Sequence, residues 1–325
     1  MAEPVQIPGP AGPLEGELLR VETPAHIVII IPGSGPIDRD GNASQLRLES
    51  NTYRLLAEGL QTAGIASIRI DKRGFFGSSA AIANPNDVTI TAYAQDARDW
   101  VNKAAETAPC VWLAGHSEGG LVALAMAQDA PDNLCGLLLL STPGRPLGQL
   151  MLKQFRGNPA NASLMPELET LIAKLEAGET TDPSEVDVRL RQLFSAGIQR
   201  YMVDLFSYDP AALGVQWTGP TLILQGTTDL QVFVEDAETL HRAMPHADLA
   251  ILDRVTHMLK ADVPGNPFAT YQNPALPIDP TVLSRITDFV TTARKPQTLK
   301  QRTRQILARP RARVHRRLFG RFGNI

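Results

Sequence analysis

The chain has 325 residues, of which 43% are hydrophobic, so it is long enough to bury a large core. No stretch approaches the ~20 consecutive apolar residues of a membrane-spanning helix, which excludes an integral helical membrane protein. The net charge of −3 is unevenly distributed, because eleven of the 31 Lys and Arg residues lie in the segment 294–321, which has no acidic residue.

The first half of the chain alternates between strand and helix patterns. Val5–Ile7 and Leu14–Val21 flank a Pro/Gly-rich turn and predict an antiparallel hairpin at a sheet edge. Predicted strands then follow at His26–Ile31, Ile65–Ile70, Cys110–Ala114 and Leu134–Ser141, with helices at Thr52–Thr62, Thr91–Glu106 and Ser117–Gln128. Such alternation predicts an α/β fold with a mainly parallel, doubly wound sheet.

The alternation lapses after this point and later resumes. Residues 144–218 predict an inserted helical cap with helices at Leu147–Phe155, Pro166–Glu176, Ser184–Ala196 and Gly197–Phe206. Strands are predicted again at Thr221–Gln225 and Leu249–Leu252, and helices at Val234–Ala243 and Pro280–Ala293. The predicted organisation is a core of residues 1–143 and 219–293, a cap of 144–218 and a basic tail of 294–325.

The basic tail allows two interpretations. Its positive charge and interspersed apolar residues suit contact with an anionic membrane, a nucleic acid or an acidic partner. The alternative is a solvated extension, or one folded back on the acidic body of the protein.

The N-terminus and the two cysteines bear on localisation. Residues 1–16 have neither a basic start nor an apolar stretch of signal-peptide length, so we expect a cytoplasmic protein, with peripheral membrane attachment through the tail as an option. Cys110 and Cys135 fall in apolar runs and are expected to be buried strand residues rather than a disulfide, a metal pair or a catalytic thiol.

A serine lies between a predicted strand and a predicted helix. Residues 115–119 read Gly-His-Ser-Glu-Gly, a G-x-S-x-G pattern in which small residues leave room for a tight turn around Ser117. Ser117 is therefore the candidate nucleophile.

Two later strands are followed by an acid and a base. Asp229 follows the strand Thr221–Gln225, and His257 follows Leu249–Leu252. Because the carboxyl ends of parallel strands meet at one sheet edge, the order Ser, Asp, His predicts a catalytic triad. The histidine would take the proton of Ser117, and Asp229 would orient the imidazole.

Acyl transfer also needs donors for a developing oxyanion. The segment Pro32–Pro36 follows the strand His26–Ile31, and its backbone offers the N–H of Ser34 or, as a second choice, that of Gly33. The other predicted donor is the N–H of Glu118 at the start of its helix. No cofactor-binding or metal-binding motif accompanies these residues, so no cofactor and no metal are expected.

Two charged loops also follow strands. Asp38–Gly41 and Asp71–Gly74 have opposite charge balance, which favours a pairing that stiffens the loops around the site over a role in substrate binding.

With these motifs in order, the chain resembles an α/β-hydrolase in the branch of bacterial serine esterases and serine-aminopeptidase-like or dienelactone-hydrolase-like proteins. The likeness extends over residues 14–293 and is carried by residues 31–42, 71–79, 115–120, 224–232 and 256–260. It implies that Ser117, Asp229 and His257 form the triad and that Gly33 and Ser34 lie in the oxyanion loop. The chain departs from many relatives at Pro32, where they have histidine, and by one extra residue in the segment 71–79.

We therefore expect a serine hydrolase that cleaves carboxylic esters of a small-molecule substrate with a small or medium acyl group, through an acyl-enzyme on Ser117. The same triad could serve an aminopeptidase or amidase, in which Glu118 would hold a substrate amine, or a thioesterase or acyltransferase. A third possibility is a binding module with a hydrolase fold, anchored by its basic tail.

Overall fold

A computed structural model describes residues 2–293 and contains ten strands and ten α-helices in that range. The strands are β1 (Ala2–Ile7), β2 (Leu14–Leu19), β3 (His26–Ile31), β4 (Asn42–Ala43), β5 (Leu48–Glu49), β6 (Ala66–Ile70), β7 (Cys110–His116), β8 (Leu134–Leu140), β9 (Thr221–Gly226) and β10 (Asp248–Leu252). The helices are α1 (Thr52–Thr62), α2 (Ile90–Ala104), α3 (Glu118–Ala127), α4 (Leu147–Arg156), α5 (Met165–Glu176), α6 (Ala196–Phe206), α7 (Pro210–Gln216), α8 (Val234–Ala243), α9 (Ala269–Gln272) and α10 (Pro280–Thr292). Predictions about the tail 294–325 lie outside the described residues.

Eight of these strands form one twisted layer in the order β1-β2-β6-β3-β7-β8-β9-β10. Strands β1 and β2 pair antiparallel, as does β2 with β6, and the remaining neighbours are parallel. The predicted α/β fold with its edge hairpin and doubly wound sheet is confirmed. Because β6 and β7 lie on opposite sides of β3, the chain reverses direction across the sheet there, and ligands bind in sheets of this kind outside the carboxyl ends of the strands at such a point.

Both faces of the sheet are buried. Along β3, Ile27, Ile29 and Ile31 pack on the face covered by α2 and α3, while Val28 and Ile30 pack on the face covered by α1 and α10. A parallel strand buried on both faces reads as a continuous apolar run, which explains the sequence of residues 26–31.

Helices α4 to α7 lie between β8 and β9, in the segment predicted as an insertion. Helix α7 packs against α3 and α8, so it covers the sheet as a crossover helix. The N-terminus of α2 is tied to α6, because the Asp204 carboxylate accepts a hydrogen bond from the Ile90 N–H at 2.7 Å.

One predicted helix is wrong. Residues 184–196 form a 3₁₀ turn at Pro183–Glu185 and further turns, and α6 begins only at Ala196. The cause is the buried side chain of Gln199, whose amide donates to the Phe194 carbonyl at 2.6 Å and so takes an acceptor that a continuous helix needs. The apolar spacing was nevertheless meaningful, because Val186, Leu190 and Phe194 are all buried.

The prediction that the cysteines remain unpaired is also wrong. Cys110 and Cys135 form a disulfide between β7 and β8, with their Cα atoms 5.5 Å apart. The register between these strands shifts after Val111, which leaves Cys135 as an extra residue and brings it beside Cys110. Pairing of this kind depends on which strands become neighbours, information that the local sequence pattern does not contain.

Replacing both Cys110 and Cys135 by serine is expected to lower the free energy of unfolding by about 3 kcal/mol, because the bond closes a loop with a sequence separation of 25. Chemical denaturation with and without reductant measures this difference. Activity at 25 °C should persist, since Cys110 opens β7 while Ser117 follows its other end. Two alkylatable thiols in unreduced, unfolded wild-type protein would contradict the bond.

The junction of β7 and α3 generates a second prediction. A Cβ atom at Gly115 would lie 2.2 Å from the Gly119 carbonyl oxygen and 2.5 Å from the Gly120 Cα. Since backbone atoms of α3 cannot yield as a flexible side chain can, Gly115→Ala should cost about 2–3 kcal/mol of stability in denaturant unfolding.

Gly157→Ala is the matched control, because its Cβ would meet nothing closer than the Gln154 carbonyl at 3.3 Å and its φ is −64°. The control should change stability by no more than about 1 kcal/mol. Equal unfolding midpoints for the two variants would show that α3 does not pack as closely on β7 as the structure has it.

Candidate active site

Ser117 occupies the turn between β7 and α3 in a strained backbone conformation. Its φ of 54° and ψ of −124° are uncommon for any residue other than glycine. The turn is held by hydrogen bonds from the Ser117 N–H to the Leu140 carbonyl and from the Gly120 N–H to the Ser117 carbonyl, each 2.9 Å. The half-buried serine therefore lies at the carboxyl edge of the sheet, where β7 ends beside β3.

Asp229 and His257 form a buried pair. The His257 Nδ1 donates to the Asp229 Oδ2 at 2.8 Å, and the two side chains are 3% and 0% exposed. The backbone N–H groups of Gln231 and Val232 donate to the other carboxylate oxygen at 2.8 and 2.9 Å. The Gln225 amide donates to Oδ2 at 3.1 Å.

These contacts set the charge of Asp229. Burial by itself raises the pKa of the carboxyl, but the interaction with His257 and the two backbone hydrogen bonds outweigh it and lower the pKa below its usual value. Asp229 is therefore a carboxylate at neutral pH, the form that holds the imidazole with Nδ1 protonated and leaves Nε2 free to accept a proton.

The loop that carries His257 is held by a buried lysine. Lys260 is fully buried, and its Nζ donates to the Ser50 carbonyl at 2.5 Å and to the Asn273 carbonyl at 3.3 Å. Burial lowers the pKa of its ammonium to about 8. The Thr52 hydroxyl also donates to the Met258 carbonyl at 3.2 Å, so the loop is attached to the start of α1.

The residue before Ser117 contacts the predicted base. His116 Nε2 donates to the His257 carbonyl at 2.8 Å, and the two imidazole rings are 4.6 Å apart at their centroids. Burial lowers the pKa of His116 to about 3, with a further contribution from His257, so His116 is neutral. The structure thus brings the elements that carry Ser117, Asp229 and His257 to one place.

The loop after β3 passes directly against Ser117. A Cβ at Gly33 would lie 3.2 Å from the Ser117 Cβ. The Gly33 N–H donates to the Tyr53 hydroxyl at 3.0 Å, so the second-choice oxyanion donor is wrong. Ser34 is exposed, and within residues 2–293 its N–H has no hydrogen-bond acceptor. The N–H of Glu118, at the first position of α3, also remains as a donor.

The Glu118 side chain points into the protein interior. Its carboxylate is 1% exposed and forms an ion pair with Lys72, with Nζ 3.3 Å from Oε1. The Lys72 Nζ also donates to the Gly33 carbonyl at 2.6 Å. Burial raises the pKa of the nearby Tyr201 well above its usual value, and the negative charge of Glu118 adds to this effect.

The two charged loops pair as predicted. The Arg39 N–H and its Nε both donate to the Asp71 carboxylate at 2.9 Å, and Arg69 forms an ion pair with Asp40. Lys72 and Arg73 take no part in this pairing, because Lys72 turns toward Gly33 and Glu118 and Arg73 pairs with Asp96.

Sequence reasoning missed several residues around the site. Tyr53, His116, Lys72 and Gln225 all touch its loops or its acid. Lys72, His116 and Gln225 stood in recognised motifs, but no motif indicates where these side chains point, and Tyr53 stood in none.

Residues 2–293 contain no group of three or more His, Cys, Asp or Glu side chains placed to hold a metal ion. Within the same range, no helix is long and apolar enough to cross a membrane.

Comparisons with known proteins agree with this architecture. Esterase EstD from Thermotoga maritima is 26% identical over 245 residues, which are 73% of this chain and 55% of that protein, so the match spans about half of the relative's length. Among solved structures, Est1E from Butyrivibrio proteoclasticus with ferulic acid bound has a TM-score of 0.57 at 18% identity, covering 89% of this chain and 98% of that one. A bromoperoxidase from Bacillus anthracis has a TM-score of 0.56 at 16% identity, covering 89% and 100% of the two chains. These structural likenesses show the fold.

A family model matches the part of the chain that contains the three proposed triad residues. The family described as serine aminopeptidase, S33, matches residues 46–263, which include Ser117, Asp229 and His257. The chain belongs to this family of α/β-hydrolases.

Proposed function

We propose that the protein is a serine hydrolase that cleaves carboxylic esters through an acyl-enzyme on Ser117. The observation that carries the proposal is the buried His257–Asp229 hydrogen bond of 2.8 Å, formed beside the strained turn that presents Ser117. Esterase EstD among the relatives supports an ester as the substrate.

In this mechanism His257 takes the proton of the Ser117 hydroxyl as the oxygen attacks the ester carbonyl carbon. The Asp229 carboxylate stabilises the imidazolium that forms. The backbone N–H groups of Ser34 and Glu118 donate to the oxyanion, and the N-terminus of α3 favours its negative charge. His257 then protonates the leaving alcohol, and water attacks the acyl-enzyme by the same route.

An ester is a better substrate for this site than a peptide with a free amino group. An aminopeptidase needs an accessible acidic group to bind the substrate ammonium, and Glu118 was the candidate from the sequence. Its carboxylate is 1% exposed and faces Lys72 in the interior, so a substrate ammonium has no access to it from the solvent side of the site. The same mechanism would also cleave a thioester.

Labelling with a fluorophosphonate tests the nucleophile. The wild-type protein should be labelled at Ser117, and Ser117→Ala should lose both the label and hydrolysis of p-nitrophenyl butyrate. His257→Ala should lower kcat by about 10³-fold or more, because the hydroxyl would have no base. Mass spectrometry locates the label, and Ser284→Ala serves as a control because it removes an exposed serine hydroxyl on α10, where it donates a hydrogen bond to Asp288. A folded wild-type protein that is neither labelled nor active would refute the proposal.

A matched substrate pair tests the preference against an amine. We expect p-nitrophenyl butyrate to be hydrolysed, and alanine p-nitroanilide to be no better a substrate than its N-acetyl derivative, because Glu118, the acid next to Ser117, is buried against Lys72. Steady-state kcat/KM values measure the comparison. A preference of about tenfold or more for the free amine would assign the protein to the aminopeptidases instead.

A further inference from the structure

We propose that Lys72 and Tyr53 are positioning residues that clamp Gly33 from both sides and thereby aim the Ser34 N–H at the oxyanion. This inference rests on the proposed function, since it concerns how the same site stabilises its transition state.

One side of the clamp is Lys72. Its Nζ lies 2.6 Å from the Gly33 carbonyl oxygen and 3.3 Å from the Glu118 Oε1. The carbonyl of Gly33 and the N–H of Ser34 belong to one peptide unit, which is planar and trans, so the two groups point in opposite directions. By drawing the carbonyl toward the buried Glu118, Lys72 turns the Ser34 N–H away from the interior and toward the exposed side of the loop.

The other side of the clamp is Tyr53, which fixes the preceding peptide unit. The Gly33 N–H donates to the Tyr53 hydroxyl oxygen at 3.0 Å, and this oxygen lies 2.9 Å from the His116 Nδ1. Since the His257 carbonyl can only accept, His116 must carry its proton on Nε2, and its Nδ1 must accept from Tyr53. Burial raises the pKa of Tyr53, which keeps the phenol protonated for this role.

The two contacts act together. The peptide units on both sides of Gly33 are oriented, so the rotation of this residue, which lacks a side chain to restrain it, is fixed. Lys72 is itself fixed, because its ammonium lies over the Tyr93 ring at 5.2 Å and is almost completely buried. Lys72 contacts both the peptide unit between Gly33 and Ser34 and the side chain of Glu118. It therefore links the two segments whose N–H groups serve as oxyanion donors.

The test uses Lys72→Met, Lys72→Arg and Tyr53→Phe in the full chain. Measured quantities are kcat and KM for p-nitrophenyl butyrate, the inhibition constant of a trifluoromethyl ketone that adds to Ser117 as a tetrahedral oxyanion, and Tm. Misplacing one donor should lower kcat and weaken the ketone in parallel, by about 10²-fold in Lys72→Met and about tenfold in Tyr53→Phe. KM should stay within about twofold, and Lys72→Arg should recover part of kcat.

Two matched controls separate positioning from stability. Arg73→Met removes the neighbouring cation, which pairs with Asp96 at 2.9 Å and does not touch Gly33. Tyr208→Phe removes a hydroxyl bonded to the Thr91 side chain at 2.9 Å. Both controls should keep kcat and the inhibition constant while Arg73→Met lowers Tm.

The clamp is overturned if Lys72→Met lowers Tm as Arg73→Met does and leaves kcat and the inhibition constant unchanged. If Lys72→Met does not fold, the test rests on Tyr53→Phe. An unchanged kcat and an unchanged inhibition constant in Tyr53→Phe would then overturn the clamp. If the wild-type protein is active and labelled but kcat and the inhibition constant do not change in Lys72→Met and Tyr53→Phe, only the clamp is rejected. A wild type that is neither labelled nor active rejects the proposed function, and the clamp with it.

Discussion

The strained turn at Ser117 is the constraint on which the rest of the site depends. A serine with a φ of 54° can persist only if the surrounding backbone leaves no alternative. Here Gly115, the second-last residue of β7, lies so close to Gly119 and Gly120 that α3 must start immediately, and the Leu140 carbonyl on β8 holds the serine N–H. The turn that carries Ser117 is therefore fixed by the sheet, and the proposed catalytic partners must come to it from the ends of other strands.

Those partners arrive on loops, and buried polar contacts make the loops rigid. Asp229 accepts two backbone N–H groups and one amide besides His257, which leaves its carboxylate a single orientation. Lys260 fixes the loop of His257 through carbonyl groups, and among residues 2–293 no carboxylate pairs with it. Burying an ammonium without a counter-ion is unfavourable for the folding free energy, and the lowered pKa of Lys260 has the same cause. Holding this loop therefore lowers the stability of the protein.

The sequence was informative where the structure is decided locally. The two-sided apolar strands, the G-x-S-x-G turn and the order of Ser117, Asp229 and His257 follow from periodicity and spacing. The disulfide depended on the register of β7 against β8. The helix predicted at 184–196 was interrupted where the buried Gln199 amide bonds the Phe194 carbonyl, a contact that depends on the direction of one side chain. Tyr53 carried no signal, because a tyrosine on a helix is usually packing, and only the tertiary fold places its hydroxyl between Gly33 and His116.

Glu118 shows how one residue can meet two demands at the same site. Its N–H lies at the start of α3, where the helix dipole favours an anion, while its carboxylate is negative and would repel one. The ion pair with Lys72 resolves this conflict, because the buried ammonium neutralises the carboxylate and holds it in the interior. The proposed oxyanion then experiences oriented peptide dipoles rather than a net charge. Such dipoles are fixed before the reaction starts, so they stabilise the developing charge without reorganisation.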